Sequence, residues 1–279
     1  MSSGRGRTAV VYLSRWHNFK KWSWPFLDSL ARNAAGADFD LIYLLKEFPN
    51  EQDDPALDEF RDRLACPVRV FRTSDTRYDL NVYREAANNF DHDRFLFLNS
   101  YSRILAPNWL AHYLSAFDRV PQTGVVAATG SYETIPGLSF PNVNVRTNAF
   151  MIDRVLFNAI ETGSLETKAD TNRLEAGTAS LTRQIVARGL VPLLVDRNGR
   201  AWSTDGWPIS RTFRSGQQEG LLIADNRTHH YQAGSAAKRL KLARLAWGEN
   251  AVVPKLSWAK RVRAEIGWRW PRIGGQAEE

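Results

Sequence analysis

The sequence predicts an α/β protein built on a doubly wound, mostly parallel sheet flanked by helices, with a C-terminal helical appendage. Three observations carry that expectation. Short apolar runs rich in branched residues alternate with helical apolar periodicity through the first 130 residues, joined by connections of a few residues. The chain, at 279 residues, is long enough for one enlarged α/β core. Its charge is unevenly spread: residues 236–272 hold ten basic and two acidic side chains, whereas residues 1–235 carry only +1 of the total +7.

The elements follow in order. Thr8 to Leu13 reads as a buried first strand, and Trp22 to Ala34, with Trp22, Phe26, Leu27 and Leu30 in register, as a crossover helix. Asp40 to Phe48 is a second buried strand; Pro55 to Leu64 is helical, with Pro55 suited to a first turn. Pro67 to Arg72 is a third strand, Asn81 to Phe90 a helix, and Arg94 to Leu98 a fourth strand. Pro107 to Phe117 is helical and Gly124 to Thr129 a fifth strand. The second half is less regular. Asn144 to Ile152 reads as a strand, Arg154 to Thr162 as a helix, and Leu174 to Arg188 as one helix closed by Gly189. Leu190 to Val195 is a short strand, and Gly199 to Gly220, rich in Gly, Trp, Ser and Arg, reads as a functional loop or lid. Two amphipathic helices are expected at 236–247 and 255–267.

Composition excludes several classes. Apolar residues at 43% and charged residues at 24% rule out wholesale disorder. The longest apolar runs are far short of the ~20 residues that span a bilayer. No apolar stretch follows the opening MSSGRGR, so no signal peptide is expected. A lone cysteine, Cys66, makes neither an internal disulfide nor a thiolate cage, which fits a reducing cytoplasm. Dehydrogenase, P-loop and hydrolase readings lack their motifs: there is no G-x-G-x-x-G, P-loop or G-x-S-x-G, and no H-E-x-x-H. The near-neutral main body argues against nucleic acid as a partner.

In an open parallel sheet ligands sit at the carboxyl ends of the strands. Those ends are Ser14 to Asn18, Lys46 to Phe48, Thr73 to Asp75 and Asn99 to Arg103. There the helix NVYREAANNF (81–90) precedes FLFLNSYS (95–102), with Ile104, Pro107, Trp109 and Leu110 following. This order resembles the nucleotide-diphospho-sugar transferases of the GT-A fold, family-two-like glycosyltransferases in particular, over roughly residues 8–200. The later Glu175-x-Gly stretch looks like a divergent bacterial branch of them.

The resemblance implies a GT-A-like nucleotide-sugar-binding domain over 8–235 and a basic, Trp-rich appendage over 236–272. It implies inverting transfer of a sugar from a nucleotide-sugar to a cell-surface glycan or glycolipid acceptor in polysaccharide biosynthesis. It also implies two Asp at the positions held here by Asn99 and Tyr101, carrying a divalent ion such as Mg or Mn. Asn and Tyr do not replace two carboxylates for a hard cation. Three consequences stand open: a metal-independent enzyme, ligands drawn from elsewhere, or a non-catalytic nucleotide- or glycan-binding module in a synthesis complex.

Glu175, at the start of the predicted helix, stands about where the resembling family keeps an acidic residue facing the acceptor, which makes it the candidate base, with Asp170 second; the plain alternative is a first-turn acid stabilising the macrodipole. Arg211 and Arg214, in the Gly- and Arg-bearing loop, are candidates to clamp the diphosphate, or simply solvated surface residues. Tyr12, Ser14 and Arg15 after the first strand, Lys46 after the second and Asp75 after the third are placed for the nucleotide, Asp75 being equally a turn former. Asn99 and Tyr101 complete the set. His229 and His230 are weak metal candidates, and no metal ligand is assigned. The appendage interleaves Trp247, Trp258, Trp268 and Trp270 with basic residues, as a peripheral contact with an anionic membrane surface would need, or as helices packed on the domain.

Overall fold

The structure, a computed structural model, describes residues 6–49, 51–73, 78–163 and 165–248. Asp75, the predicted helix at 255–267 and three of the appendage tryptophans lie outside the described residues.

The first half runs β1 (Thr8–Arg15), α1 (Phe19–Arg32), β2 (Asp40–Lys46), α2 (Pro55–Phe60), β3 (Val68–Thr73), α3 (Asp79–Asn89), β4 (Arg94–Leu98), β5 (Arg103–Ile104) and α4 (Trp109–Arg119). Then come β6 (Thr123–Ala127), β7 (Gly130–Ser131), β8 (Asn144–Val145), β9 (Ala149–Asp153), α5 (Arg154–Ala159), α6 (Lys168–Glu175) and α7 (Leu181–Ala187). The chain continues through β10 (Val191–Val195), β11 (Ala201–Trp202), β12 (Ile223–Ala224), α8 (Asn226–Gln232) and α9 (Ala236–Trp247).

Eight strands form one sheet in the order β11-β10-β6-β9-β4-β1-β2-β3. The fold is therefore α/β with a mostly parallel sheet flanked by helices. β1 pairs in parallel with β2 on one side and β4 on the other, with Tyr12 opposite both Tyr43 and Leu98. Successive strands leave β1 in opposite directions across the sheet, so its carboxyl end is a topological switch point. Side chains alternate between two apolar layers. Val10 and Tyr12 join Phe26, Leu57, Trp109 and Tyr113 on one face. Ala9, Val11 and Leu13 join Tyr83, Phe97, Phe157, Ile185 and Trp247 on the other.

Four sequence expectations change. The run 144–152 is two strands: β8 pairs with β7, and β9 enters the sheet antiparallel to both β4 and β6. The polar Arg146, Thr147 and Asn148 break it, and the Arg146 amide turns away to donate to the Thr129 carbonyl. The run 174–188 is also two helices. The Gly177 amide donates to the Asn172 and Arg173 carbonyls, closing α6, and the Ser180 hydroxyl caps α7 by accepting from the Arg183 amide. A Cβ at Gly177 would sit 2.7 Å from Arg173 Cα, so the break needs glycine. The predicted lid at 199–220 is largely a packed wall: β11 pairs with β10, and Trp207 and Phe213 are buried.

The fourth change concerns α9. Of the two roles open to the appendage, this helix takes packing on the domain, through Leu242, Ala246 and Trp247, while Leu240 is 49% exposed. The Trp247 ring centroid lies 4.7 Å from that of Phe213, and its Nε1 donates to the Arg214 carbonyl. Trp247 is thus a core residue. Among the described residues no helix is long and apolar enough to cross a membrane.

Candidate active site

A cleft of about 250 Å³ opens at the carboxyl ends of β1 and β4, the switch point of the sheet. Arg15 ends β1, Asn99 follows β4, Asp79 begins α3, Arg146 to Asn148 precede β9, Lys168 and Glu175 bound α6, and Arg227 stands on α8; all line it. Three sequence candidates, Arg15, Asn99 and Glu175, therefore meet.

Arg15 lies between two carboxylates, 3.6 Å from Glu47 and 3.6 Å from Asp79. Glu47 has φ 62, a left-handed conformation uncommon outside glycine, directly after β2. Lys46 is fully buried behind the cleft, with its Nζ 3.7 Å from Asp79. Asp79 is thus held by two cations. Arg146 is paired with Glu133 at 3.2 Å. Lys168 and Arg227 are exposed and enter no ion pair among the described residues. The lining sets four cations, Arg15, Arg146, Lys168 and Arg227, against three carboxylates, Asp79, Glu175 and Asp225, so the cleft is nearly balanced in charge and Lys168 and Arg227 are its cations without an ion pair among the described residues.

Glu175 corrects one expectation: it ends α6 instead of starting a helix. There the negative end of the macrodipole opposes a carboxylate, so helix stabilisation does not account for it. The Thr147 hydroxyl donates to its Oε1 at 2.8 Å, leaving the other oxygen available. Asp170 instead completes the α6 capping box, accepting from the Thr167 amide and hydroxyl. It does not line the cleft.

Tyr12 and Ser14 are also placed elsewhere. They are one step out of phase with Arg15 on β1 and face the opposite layer. The Tyr12 ring stacks on Phe26 at 3.6 Å and its hydroxyl donates to the Ser100 carbonyl. The Ser14 hydroxyl donates to the buried Asp54, as do those of Ser23 and Tyr43, while Asp54 Oδ1 accepts from the Ala56 amide.

Arg211 and Arg214 do not converge on the cleft. Arg211 is exposed. Arg214 is only 6% exposed and its Nε donates to the Leu242 carbonyl at 2.8 Å, fastening α9. Burial, with Arg146 nearby, brings the Arg214 guanidinium down to about 10. Asp75 lies outside the described residues.

Among the described residues the divalent ion implied by the resemblance meets no pair of carboxylates free to hold it. Asn99 Oδ1 already accepts from the Tyr101 amide and the Ser102 hydroxyl, an Asx turn. The Tyr101 ring packs edge-on to Trp22 at 5.3 Å and is absent from the cleft lining. Of the cleft carboxylates, Asp79 is held by cations and Asp225 caps α8, which leaves one oxygen of Glu175, a single carboxylate ligand where a hard cation needs more. Among the described residues no three His, Cys, Asp or Glu side chains cluster at ligand spacing. His229 and His230 are exposed on α8; partial desolvation, then Lys238, His229 and Arg227, hold the His230 imidazole below its usual range.

Sequence reasoning missed Asp79, Arg146, Asn148, Lys168 and Arg227. The first had a signal, since it begins a helix just after the third strand. The others sit in no motif, and only the reversal of β9 and the break in α6 bring them together.

These features define an α/β fold with a polar switch-point cleft in which Lys168, Arg227 and the Glu175 carboxylate come together. No family model matches the chain, and no curated protein matches it. Among solved structures, residues 1–349 of S. aureus TarS with UDP-GlcNAc are similar at 15% identity and TM-score 0.42, covering 59% of this chain and 52% of that one. The first TarS structure is covered over only 32% of its length, so this chain spans a third to a half of TarS. Mouse xyloside xylosyltransferase 1 is similar at 11% identity and TM-score 0.44, covering 68% of this chain and 84% of that one. The 4-diphosphocytidyl-2C-methyl-D-erythritol synthase of Anaerococcus prevotii gives 11% and 0.45, covering 68% and 88%. Likeness at this level says nothing about activity.

Proposed function

We propose that the chain is a glycosyltransferase that moves a sugar from a nucleotide-sugar to a hydroxyl of a glycan or glycolipid, with inversion. The observation that carries this reading is the convergence of Glu175 with Lys168 and Arg227, two cations without an ion pair among the described residues, at the switch point beside Arg15. In the proposed reaction Glu175 takes the proton of the acceptor hydroxyl as its oxygen attacks the anomeric carbon. The bond from that carbon to the diphosphate breaks, and its electron pair leaves with the nucleoside diphosphate. Lys168, Arg227 and Arg146 offset the charge that develops on the leaving group, the task an ion held by two carboxylates performs in the resembling family.

Such a site works without a carboxylate-held cation. Affinity for a nucleoside-diphosphate sugar, measured by calorimetry after a thermal-shift screen, is expected to change less than about threefold on adding EDTA. A loss of tenfold or more on chelation, restored by Mn²⁺, would refute the metal-independent site. No stabilisation by any nucleotide-sugar would refute the proposed function itself.

A further inference from the structure

Beside Arg15, whose Nε is unpaired while its terminal nitrogens are engaged, two polar side chains lining the cleft have no hydrogen-bond partner for any polar atom among the described residues. Asn148 is 9% exposed, and neither its Oδ1 nor its Nδ2 meets a hydrogen-bond partner. Tyr83 is 1% exposed, and its hydroxyl is likewise unpartnered. Both residues line the cleft. Buried polar atoms are nearly always paired, and each left unpaired opposes folding, so two such side chains in one cavity point to a ligand.

Their supports are firm although their polar atoms are not engaged. The Asn148 carbonyl accepts from the Asn99 amide at 3.0 Å, locking the backbone against the end of β4. The next residue back, Thr147, holds the Glu175 carboxylate. Tyr83 stacks on Phe97 with ring centroids 4.8 Å apart. Burial, with Asp79 nearby, pushes its phenol well above the usual range, so the hydroxyl stays protonated and available as a donor.

The hydrogen-bonding inventory narrows the ligand group. An amide presents a donor and an acceptor side by side, and a phenol can do both. An ionised phosphate accepts only, so it would pair with Nδ2 and leave Oδ1 unpaired. Hydroxyls on adjacent ring carbons both donate and accept, and they satisfy both amide atoms. We infer that Asn148 and Tyr83 together read hydroxyls of the transferred sugar and so set donor specificity, an inference that rests on the proposed nucleotide-sugar site. In that arrangement the Asn148 amide and the Tyr83 hydroxyl pair with the sugar while Lys168 and Arg227 hold the diphosphate.

The test uses the full chain, a panel of UDP- and GDP-hexoses, and bare UDP and GDP. Asn148→Leu keeps the branched shape and removes both polar atoms; Tyr83→Phe removes one hydroxyl. Without ligand, Asn148→Leu is expected to raise Tm by about 2 °C or more, because two unpaired polar atoms are gone. Its Kd for the best nucleotide-sugar weakens about tenfold or more, and that of Tyr83→Phe about fivefold, while the bare diphosphates bind within about twofold of the parent. A fall in Tm in both variants would make the residues structural and overturn the inference. Equal losses for bare diphosphate and nucleotide-sugar would also overturn it, by assigning the pair to the base or phosphates. Unchanged affinity for the sugar donor would remove the contact altogether. A parent protein that binds no panel member would instead refute the nucleotide-sugar site on which the inference rests.

Discussion

Replacing Glu175 by Gln is expected to lower turnover with a nucleotide-sugar and its acceptor by about 10²-fold or more, leaving donor affinity within a few-fold. The amide keeps the size and the contact with the Thr147 hydroxyl, which donates to a carbonyl oxygen as well as to a carboxylate. What it loses is the ability to take a proton. The second oxygen of Glu175 is the group that faces the acceptor in the proposed reaction. Steady-state kinetics with both substrates varied, alongside donor titration, separate this from a binding defect. If turnover is unchanged, the carboxylate at the end of α6 is not the base, and no other unengaged cleft carboxylate among the described residues stands ready to replace it.

The second large effect concerns stability. Asp54→Ala is expected to cost about 3–6 kcal/mol in unfolding free energy, measured by denaturant midpoint, a large share of a typical domain's margin. Asp54 is fully buried, and its carboxylate gathers hydroxyls from three elements: Ser14 on β1, Ser23 on α1 and Tyr43 on β2. It also caps α2 through the Ala56 amide. Truncation leaves three buried donors and a helix end without their acceptor. Tyr43→Phe removes one donor and leaves the acceptor satisfied by the rest, so it should cost only about 1 kcal/mol. A cost below about 1 kcal/mol for Asp54→Ala would show that the hydroxyls re-pair among themselves.

Much of the frame was legible because local pattern and global fold agree in the first half. The apolar runs at β1, β2 and β4 are buried on both faces, and such runs announce themselves by composition alone. β9 was legible as a strand but not as a reversed one, since direction depends on the path of the chain between elements. The site divided along the same line. Arg15 and Asn99 follow strands, so topology singled them out, and Glu175 came through the family resemblance. Tyr12 and Ser14 were misassigned because position after a strand does not say which face a side chain takes. Arg214 was misassigned because an arginine in a Gly-rich stretch reads as mobile surface, while here it is buried under α9. Asp54 was overlooked altogether: one acidic residue before Pro55 reads as a helix cap, and its hydroxyl partners come from distant stretches of sequence.

The reversed strand bears on when the protein becomes competent during synthesis. Because β9 runs against β4, its leading residues, Arg146 to Asn148, are the ones delivered to the cleft, and α6 and α8 add theirs later still. Arg15, Asp79 and Asn99 emerge from the ribosome first. At about 5–20 residues per second, the far wall follows several seconds behind them. A nascent chain that has extruded only its first four strands holds one bank of the cleft, without Glu175, Lys168 or Arg227. It has no proton acceptor for the proposed transfer and no opposing cations to grip a donor. Premature termination before α8 would therefore leave the cleft without Arg227, and termination before α6 without Glu175 and Lys168 as well, so the proposed transfer would need all three elements.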